Sequence, residues 1–289
     1  MTDAASPLGD TLRARLADAP RTTRWQFAVR HPLAAAQLAA AKWFGRTRQV
    51  VCPLFFGETM TVVLPEIVST ELYRHGFFEP DLTEIICRLL RPGDVFYDVG
   101  THLGYYSLLA ARLVGPTGHV VALEPTLRTR ALLERNVAPF SNVEVLQYAA
   151  WYETTELEFN DYGWTMSAYN SFSAKRLADT PNRIIVPARP LDAIVAETGR
   201  VPTMLKIDAE AAELYVLQGL RETMATVSPL ITLETGDFTE GAPKSHEVIA
   251  FAIAHGYQPY DLVNGRFVSH QLKREYGYAN ILMSKTPLN

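Results

Sequence analysis

From Val95 onward the chain repeats one pattern: a short, almost wholly apolar run, then an amphipathic stretch of helical spacing, then another apolar run. Runs without polar alternation must be covered on both faces, which is the condition of a parallel sheet, and parallel neighbours need long crossover connections, usually helices. The pattern predicts strands at 95–99, 119–123, 143–147, 203–207 and 230–234. Helices are expected at 105–113, 127–137, 191–197, 211–225 and 245–255, with a last pair of strands near 257–262 and 279–284 completing an α/β sheet.

Upstream of this rhythm the composition changes. Residues 10–43 are rich in Ala, Leu and Arg and predict two short helices broken near Pro20 and Pro32. Residues 50–64 alternate loosely around Phe56-Gly57-Glu58, a hairpin signal, and Glu79-Pro80-Asp81 opens a helix that Arg91-Pro92-Gly93 ends. The expected organisation is an N-terminal helical extension over 1–50, a hairpin and helix over 51–92, and the main domain over 93–289. A polar, aromatic insert at 154–186 interrupts that domain where a substrate lid would sit.

The 27 Lys+Arg against 31 Asp+Glu give a net charge of −4, which argues against nucleic acid as a partner. The charge is uneven, with 8 basic and 3 acidic side chains in residues 1–50. Such a segment suits an anionic membrane, a homodimer contact or a cap over a pocket; its alanine-rich stretch at 33–41 buries little area per residue, so a cap or homodimer is expected. No stretch is long and apolar enough for a transmembrane segment, and Cys52 and Cys87 form no framework, so a cytoplasmic protein is expected.

The chemistry gathers at strand ends. Asp98-Val-Gly100-Thr101-His102-Leu-Gly104 is a glycine-bearing turn from strand to helix, but its spacing is not the G-x-G-x-x-G of a dinucleotide site. An anion at Asp98 would repel a pyrophosphate and suit a cationic amino group, such as that of S-adenosylmethionine; the other reading is a packing turn without ligand. Glu124, at the next strand end, can accept both hydroxyls of a ribose or merely favour the helix that follows. Tyr148 and Ala149, at the third strand end, either line an adenine slot or close the core. Lys206-Ile-Asp208-Ala-Glu210 and Glu234 place carboxylates on the crevice, as base, metal ligands or acceptors, with Asp237 just beyond. His102 reads as structural more readily than as a base. Trp164, Tyr169, Asn170 and Ser171 of the insert are candidate acceptor contacts or a packed surface flap.

Taken together, Tyr73-Arg-His-Gly76, Phe78-Glu79, Asp98-Val-Gly100, Leu191-Asp192 and Lys206-Ile-Asp208-Ala-Glu210 resemble the FkbM-type family of class I S-adenosylmethionine-dependent methyltransferases, over roughly residues 56–285. Two positions depart from that family's usual pattern: Thr101-His102 stands where it has Ala-Asn, and Ala211 where it has Gly. The resemblance implies a Rossmann-like class I methyltransferase sheet, mostly parallel with the last strand antiparallel, and S-adenosylmethionine as cofactor. It further implies O-methylation of a sugar or secondary-metabolite hydroxyl, with N-methylation of a small molecule as the alternative. A non-catalytic nucleotide-binding module and a nicotinamide oxidoreductase are the competing classes. Asp208, Glu210 and Glu234 are the expected catalytic residues. Asp98, Gly100, Thr101, His102, Gly104, Glu124, Tyr148, Ala149 and Asp208 are expected around the cofactor. A divalent ion such as Mg2+, if used, would sit on Asp208, Glu234 and Asp237.

Overall fold

The computed structural model describes residues 6–19, 21–172 and 180–288. The chain opens with three helices, α1 (Pro7–Asp18), α2 (Arg24–Arg30) and α3 (Pro32–Phe44), where the sequence predicted two. Two proline punctuations delimit three segments, and Thr23 starts the middle one with a reciprocal cap to Gln26. The predicted break at Pro20 itself lies outside the described residues. Leu12 and Leu16 of α1 enter the core, and a Cβ at Gly9 would stand 2.3 Å from the Cys87 carbonyl. The first helix is thus part of the body, not an appendage.

A hairpin follows, β1 (Arg48–Pro53) with β2 (Thr59–Leu64), then α4 (Ile67–His75) and α5 (Pro80–Leu89). α4 has no counterpart in the sequence reading. Its cap is Glu66, which accepts from Val68 N (2.9 Å) and Ser69 N (2.7 Å) and is not one of the residue types that usually mark a helix start.

The core then runs β3 (Val95–Val99), α6 (Tyr105–Val114), β4 (His119–Leu123), α7 (Leu127–Val137), β5 (Val143–Leu146), β6 (Ala149–Ala150), β7 (Thr155–Asp161), β8 (Asn182–Arg189), α8 (Leu191–Thr198) and β9 (Met204–Ile207). It ends with α9 (Glu213–Gln218), α10 (Arg221–Thr226), β10 (Leu230–Thr235), α11 (Ser245–Ala254), β11 (Gln258–Val263), β12 (Arg266–Ser269) and β13 (Ala279–Ser284). Eight strands form the main sheet in the order β12-β11-β13-β10-β9-β3-β4-β5. The five strands from β10 to β5 are parallel, and β13 runs antiparallel between β10 and β11.

Alternate strand residues serve opposite faces. Phe96, Val120 and Ala122 join the core on one side, and Tyr97, Val99, Val121 and Leu123 the core on the other. The third strand ends one residue earlier than predicted. β12 was not foreseen, although Asn264-Gly265, both with positive φ, is the turn that two-residue hairpins prefer. The predicted helix 211–225 is two, because a Cβ at Gly219 would lie 2.1 Å from the Trp151 carbonyl, and Asp192 caps the new start through Glu222 N and Thr223 N. The insert folds as the β7–β8 hairpin with a 3-10 helix (Trp164–Tyr169); its residues 173–179 lie outside the described ones. Among the described residues no helix is long and apolar enough to cross a membrane.

Candidate active site

A cavity of about 820 Å³ opens at the C-terminal ends of β3, β4, β9 and β10, the edge at which open parallel sheets bind ligands. The loop after β3, the ends of β4, β9 and β10, helix α4 and the insert all line it.

The loop after β3 is held by contact rather than by choice of ligand. Gly100 has φ +74, and a Cβ there would stand 1.8 Å from the Asp208 carbonyl, so only glycine lets β3 and β9 approach. Gly104 has φ +97 and presses on Leu133 of α7; it does not line the cavity, so its glycine answers packing and not the cofactor contact expected for it. His102, at φ +55, sends its ring Nε2 to Ser167 Oγ (2.8 Å) and ties the loop to the insert. Burial lowers its pKa, so the ring is neutral and acts as a strut. Thr101 lines the cavity while its hydroxyl donates to the Asp98 carbonyl (2.7 Å).

Asp98 does not face the cavity, contrary to expectation. It pairs in register with Lys206 across β3 and β9 and is fully buried. Ser107 donates to its Oδ2 (2.7 Å), while Oδ1 has no hydrogen-bond partner and lies 3.7 Å from Lys206 Nζ. Burial pushes its pKa up and the lysine opposes that. The cation expected to be a ligand's amino group is therefore built into the chain. Lys206 Nζ also donates to the Gly100 carbonyl (2.9 Å) and stands 3.1 Å from Asp208. Burial acts against the charged ammonium, but Asp208, Asp98 and Glu79 outweigh it and hold the pKa above the ordinary lysine value.

Glu124 lines the cavity, and its two oxygens accept from Thr126 N (2.9 Å) and His102 N (3.1 Å). An ionised carboxylate offers about four lone-pair positions, so one on each oxygen is left for a ligand. Burial raises its pKa to about 7. Tyr148 and Ala149 stand beside it on the cavity wall.

In the same cavity, ligand oxygens of Asp208, Glu210 and Glu234 all lie within 4.8 Å of one another. Burial first, then the charges of Asp208 and Glu210, push the Glu234 pKa well above the carboxylate range, and its side chain hydrogen-bonds Asp208. This trio could instead hold a hard divalent cation. Asp237, expected among such ligands, is elsewhere: it accepts from Ser245 N (2.8 Å) and Tyr276 N (2.9 Å), fixing the start of α11. Tyr169 and Asn170 line the cavity; Trp164 instead packs under Arg128, and Ser171 is buried in a bridge to Asn160.

The turn from β9 to α9 is strained. Glu210 (φ +52) and Ala211 (φ +78) are consecutive non-glycine residues in the left-handed region, held by Glu213, whose carboxylate accepts from Ala209 N (2.9 Å) and Ala211 N (3.3 Å). Ala211→Gly is expected to stabilise the protein by about 1 kcal/mol, the cost of a left-handed non-glycine residue, as a raised denaturant midpoint at unchanged slope. An unchanged or lowered midpoint would mean that the turn carries no strain.

Sequence reasoning gave Glu79 a helix start and a place in the family resemblance, but no role in the site. Its carboxylate lines the same cavity and accepts from Tyr106 OH (2.6 Å), Asn280 Nδ2 (2.5 Å) and Tyr278 OH. Burial and then Asp208 raise its pKa. Lys206 had a usable signal, since a lysine inside an apolar strand must be paired; Glu79, joined to residues some 200 positions away, had none.

Residues 98–259, more than half of the chain, match the model of the methyltransferase FkbM domain. Two curated proteins match shorter segments. Protein-L-isoaspartate O-methyltransferase 2 of Archaeoglobus fulgidus is 38% identical over 78 residues, 26% of this chain and 36% of that protein. Protein-L-isoaspartate O-methyltransferase of Ignicoccus hospitalis is 44% identical over 59 residues, 20% of this chain and 28% of that protein. The matched segments thus span about a third of those relatives' length. Among solved structures, the methyltransferase FkbM of Methylobacillus flagellatus KT aligns with 96% of this chain and 58% of its own at 15% identity and a TM-score of 0.45.

Proposed function

The chain belongs to the family of methyltransferase FkbM domains, and on that premise we propose that it moves the methyl group of S-adenosylmethionine to a hydroxyl oxygen of a small-molecule acceptor, a sugar or secondary metabolite. The observation that carries this reading is one cavity lined both by the Glu124 carboxylate and by the clustered acids Asp208, Glu210 and Glu234. The residues present fit the cofactor: Glu124 keeps two lone pairs for a pair of ribose hydroxyls, and the acid-rich walls suit a cationic ligand.

S-adenosylmethionine supplies an electrophilic methyl group when bound. Gly100, Thr101, Tyr148 and Ala149 line the cavity and would be the residues to hold it, the last two beside its nucleoside. Asp208 accepts the acceptor's proton as its oxygen becomes a nucleophile, and Lys206, 3.1 Å away, pairs with that carboxylate and holds it in place. Insert residues Tyr169 and Asn170 line the cavity and would shield a bound acceptor from water. An isoaspartyl residue, the target named for the curated relatives, offers a carboxylate oxygen. A further carboxylate would crowd a site where Asp208, Glu210 and Glu234 already lie within 4.8 Å of one another, which favours a neutral hydroxyl.

Calorimetry with S-adenosylhomocysteine tests the reading. Glu124→Ala is expected to weaken binding by about 2–3 kcal/mol, roughly 30- to 150-fold, as two hydrogen bonds to a charged acceptor disappear. In the unsubstituted protein the proton on Glu124 must leave before both hydroxyls are accepted. Affinity should therefore rise with pH up to about 7 and level above it. Equal affinity in the variant, or tighter binding of NAD than of S-adenosylhomocysteine, would remove this assignment.

A further inference from the structure

Helices α2 and α3 carry most of their bulky apolar side chains outward. In α3, Leu33, Ala36, Ala40, Trp43 and Phe44 follow the spacing of one helix face, and all five are exposed, Leu33 at 81% and Trp43 at 86%. The face turned to the protein is Ala34, Gln37, Leu38 and Ala41, none of them exposed. In α2, Trp25 (77% exposed) and Val29 are one turn apart on the outside, while Phe27 points inward against Tyr73. Exposed large residues concentrated on two adjacent helices mark a surface that is covered in use.

The charge decides what covers it. Residues 21–50 contain six basic side chains, Arg21, Arg24, Arg30, Lys42, Arg46 and Arg48, all exposed, and no Asp or Glu. A second copy docked on the same patch would bring two such surfaces face to face without one acid from these helices between them. An anionic bilayer complements both parts: tryptophans settle at the headgroup boundary and arginines pair with lipid phosphates. We propose that α2 and α3 form a docking surface for an anionic lipid bilayer, lying in its interface and not crossing it. This replaces the cap or homodimer role expected from the alanine content. Only Phe27 and Leu38 of the bulky residues turn inward, whereas Trp25, Val29, Leu33, Trp43 and Phe44 lie on the outer side.

The surface adjoins the cavity. Phe27 and Gln37 both contact Tyr73 of α4, and Ile67, Val68 and Leu72 of that helix line the cavity wall. Docking would set that wall beside the lipid, where an acceptor with an apolar tail is at hand. The proposal does not depend on the methyl-transfer reading and is tested without turnover.

The full chain is mixed with vesicles of phosphatidylcholine, alone or with phosphatidylglycerol, and sedimented. The bound fraction is expected to be at least about tenfold higher on the anionic vesicles, to fall with added salt, and to be accompanied by a blue shift of tryptophan emission. The combined variant Trp25→Ser, Trp43→Ser, Phe44→Ser should lose that binding while its thermal midpoint stays unchanged, since these side chains touch solvent. Arg24→Glu with Arg30→Glu should lose it with the apolar face intact. Equal sedimentation with both vesicle types, or binding retained in both variants, would overturn the proposal. So would a concentration-dependent dimer in light scattering that the serine variant abolishes while vesicle binding is absent.

Discussion

Gly100→Ala is expected to lower the thermal midpoint by on the order of 10 °C, because the new methyl group would stand 1.8 Å from the Asp208 carbonyl in a backbone conformation with φ +74. Neither neighbour can yield easily. The carbonyl belongs to the residue just after β9, and Thr101 N and Asp208 N are both held by strand carbonyls, Leu123 and Val99. Overpacking together with left-handed strain costs about 3–5 kcal/mol. Differential scanning calorimetry measures it. A midpoint within a degree or two of the parent would show that the loop moves freely off β9, and then it could not hold the cofactor in register. The same substitution at Gly45, which meets nothing within 4 Å, has the strain without the collision and serves as the control.

Asp208→Asn is expected to reduce turnover by about 10²- to 10⁴-fold, the usual contribution of a positioned general base, with S-adenosylhomocysteine affinity nearly retained. The amide keeps the shape and cannot take a proton. A second effect goes with it. In the parent, Asp208 is the second-largest influence raising the Glu234 pKa, after burial; without that charge Glu234 should ionise at lower pH. The residual rate of the variant should then grow with pH as Glu234 ionises and partly substitutes. Full activity in the variant would remove Asp208 from the mechanism. Abolition of parent turnover by EDTA would reassign the trio of carboxylates to a cation.

The five parallel strands were readable from the sequence because their residues are apolar on both faces, which only a doubly covered sheet accommodates. The strand-end acids Glu124, Asp208 and Glu234 could be named for the same reason, since a charge at the end of a buried run has one wet edge to reach. Where the reading failed, the deciding contact was distant. The break at Gly219 depends on the Trp151 carbonyl, Gly104 answers Leu133, and Asp98 and Asp237 were drawn inward by Lys206 and by the start of α11. Nothing in Glu79-Pro80-Asp81 reveals that the glutamate will meet Tyr278 and Asn280, because that encounter exists only in three dimensions.

That encounter also sets a timetable. Glu79 belongs to a segment that leaves the ribosome before the core, and two of its three partners, Tyr278 and Asn280, lie beside and on β13, the strand that enters between β10 and β11 after both have been made. At about 5–20 residues per second, some 200 residues of synthesis separate Glu79 from Tyr278 and Asn280, an interval on the order of ten seconds or more. During that interval the loop after β3, Glu124 and the acids of β9 already exist on one chain, yet the cavity lacks a wall. A nascent chain stopped before β13 would carry most of the recognisable sequence signals of a methyltransferase without the enclosed pocket, so that the last strand acts as the seal on a chamber whose parts were finished long before it.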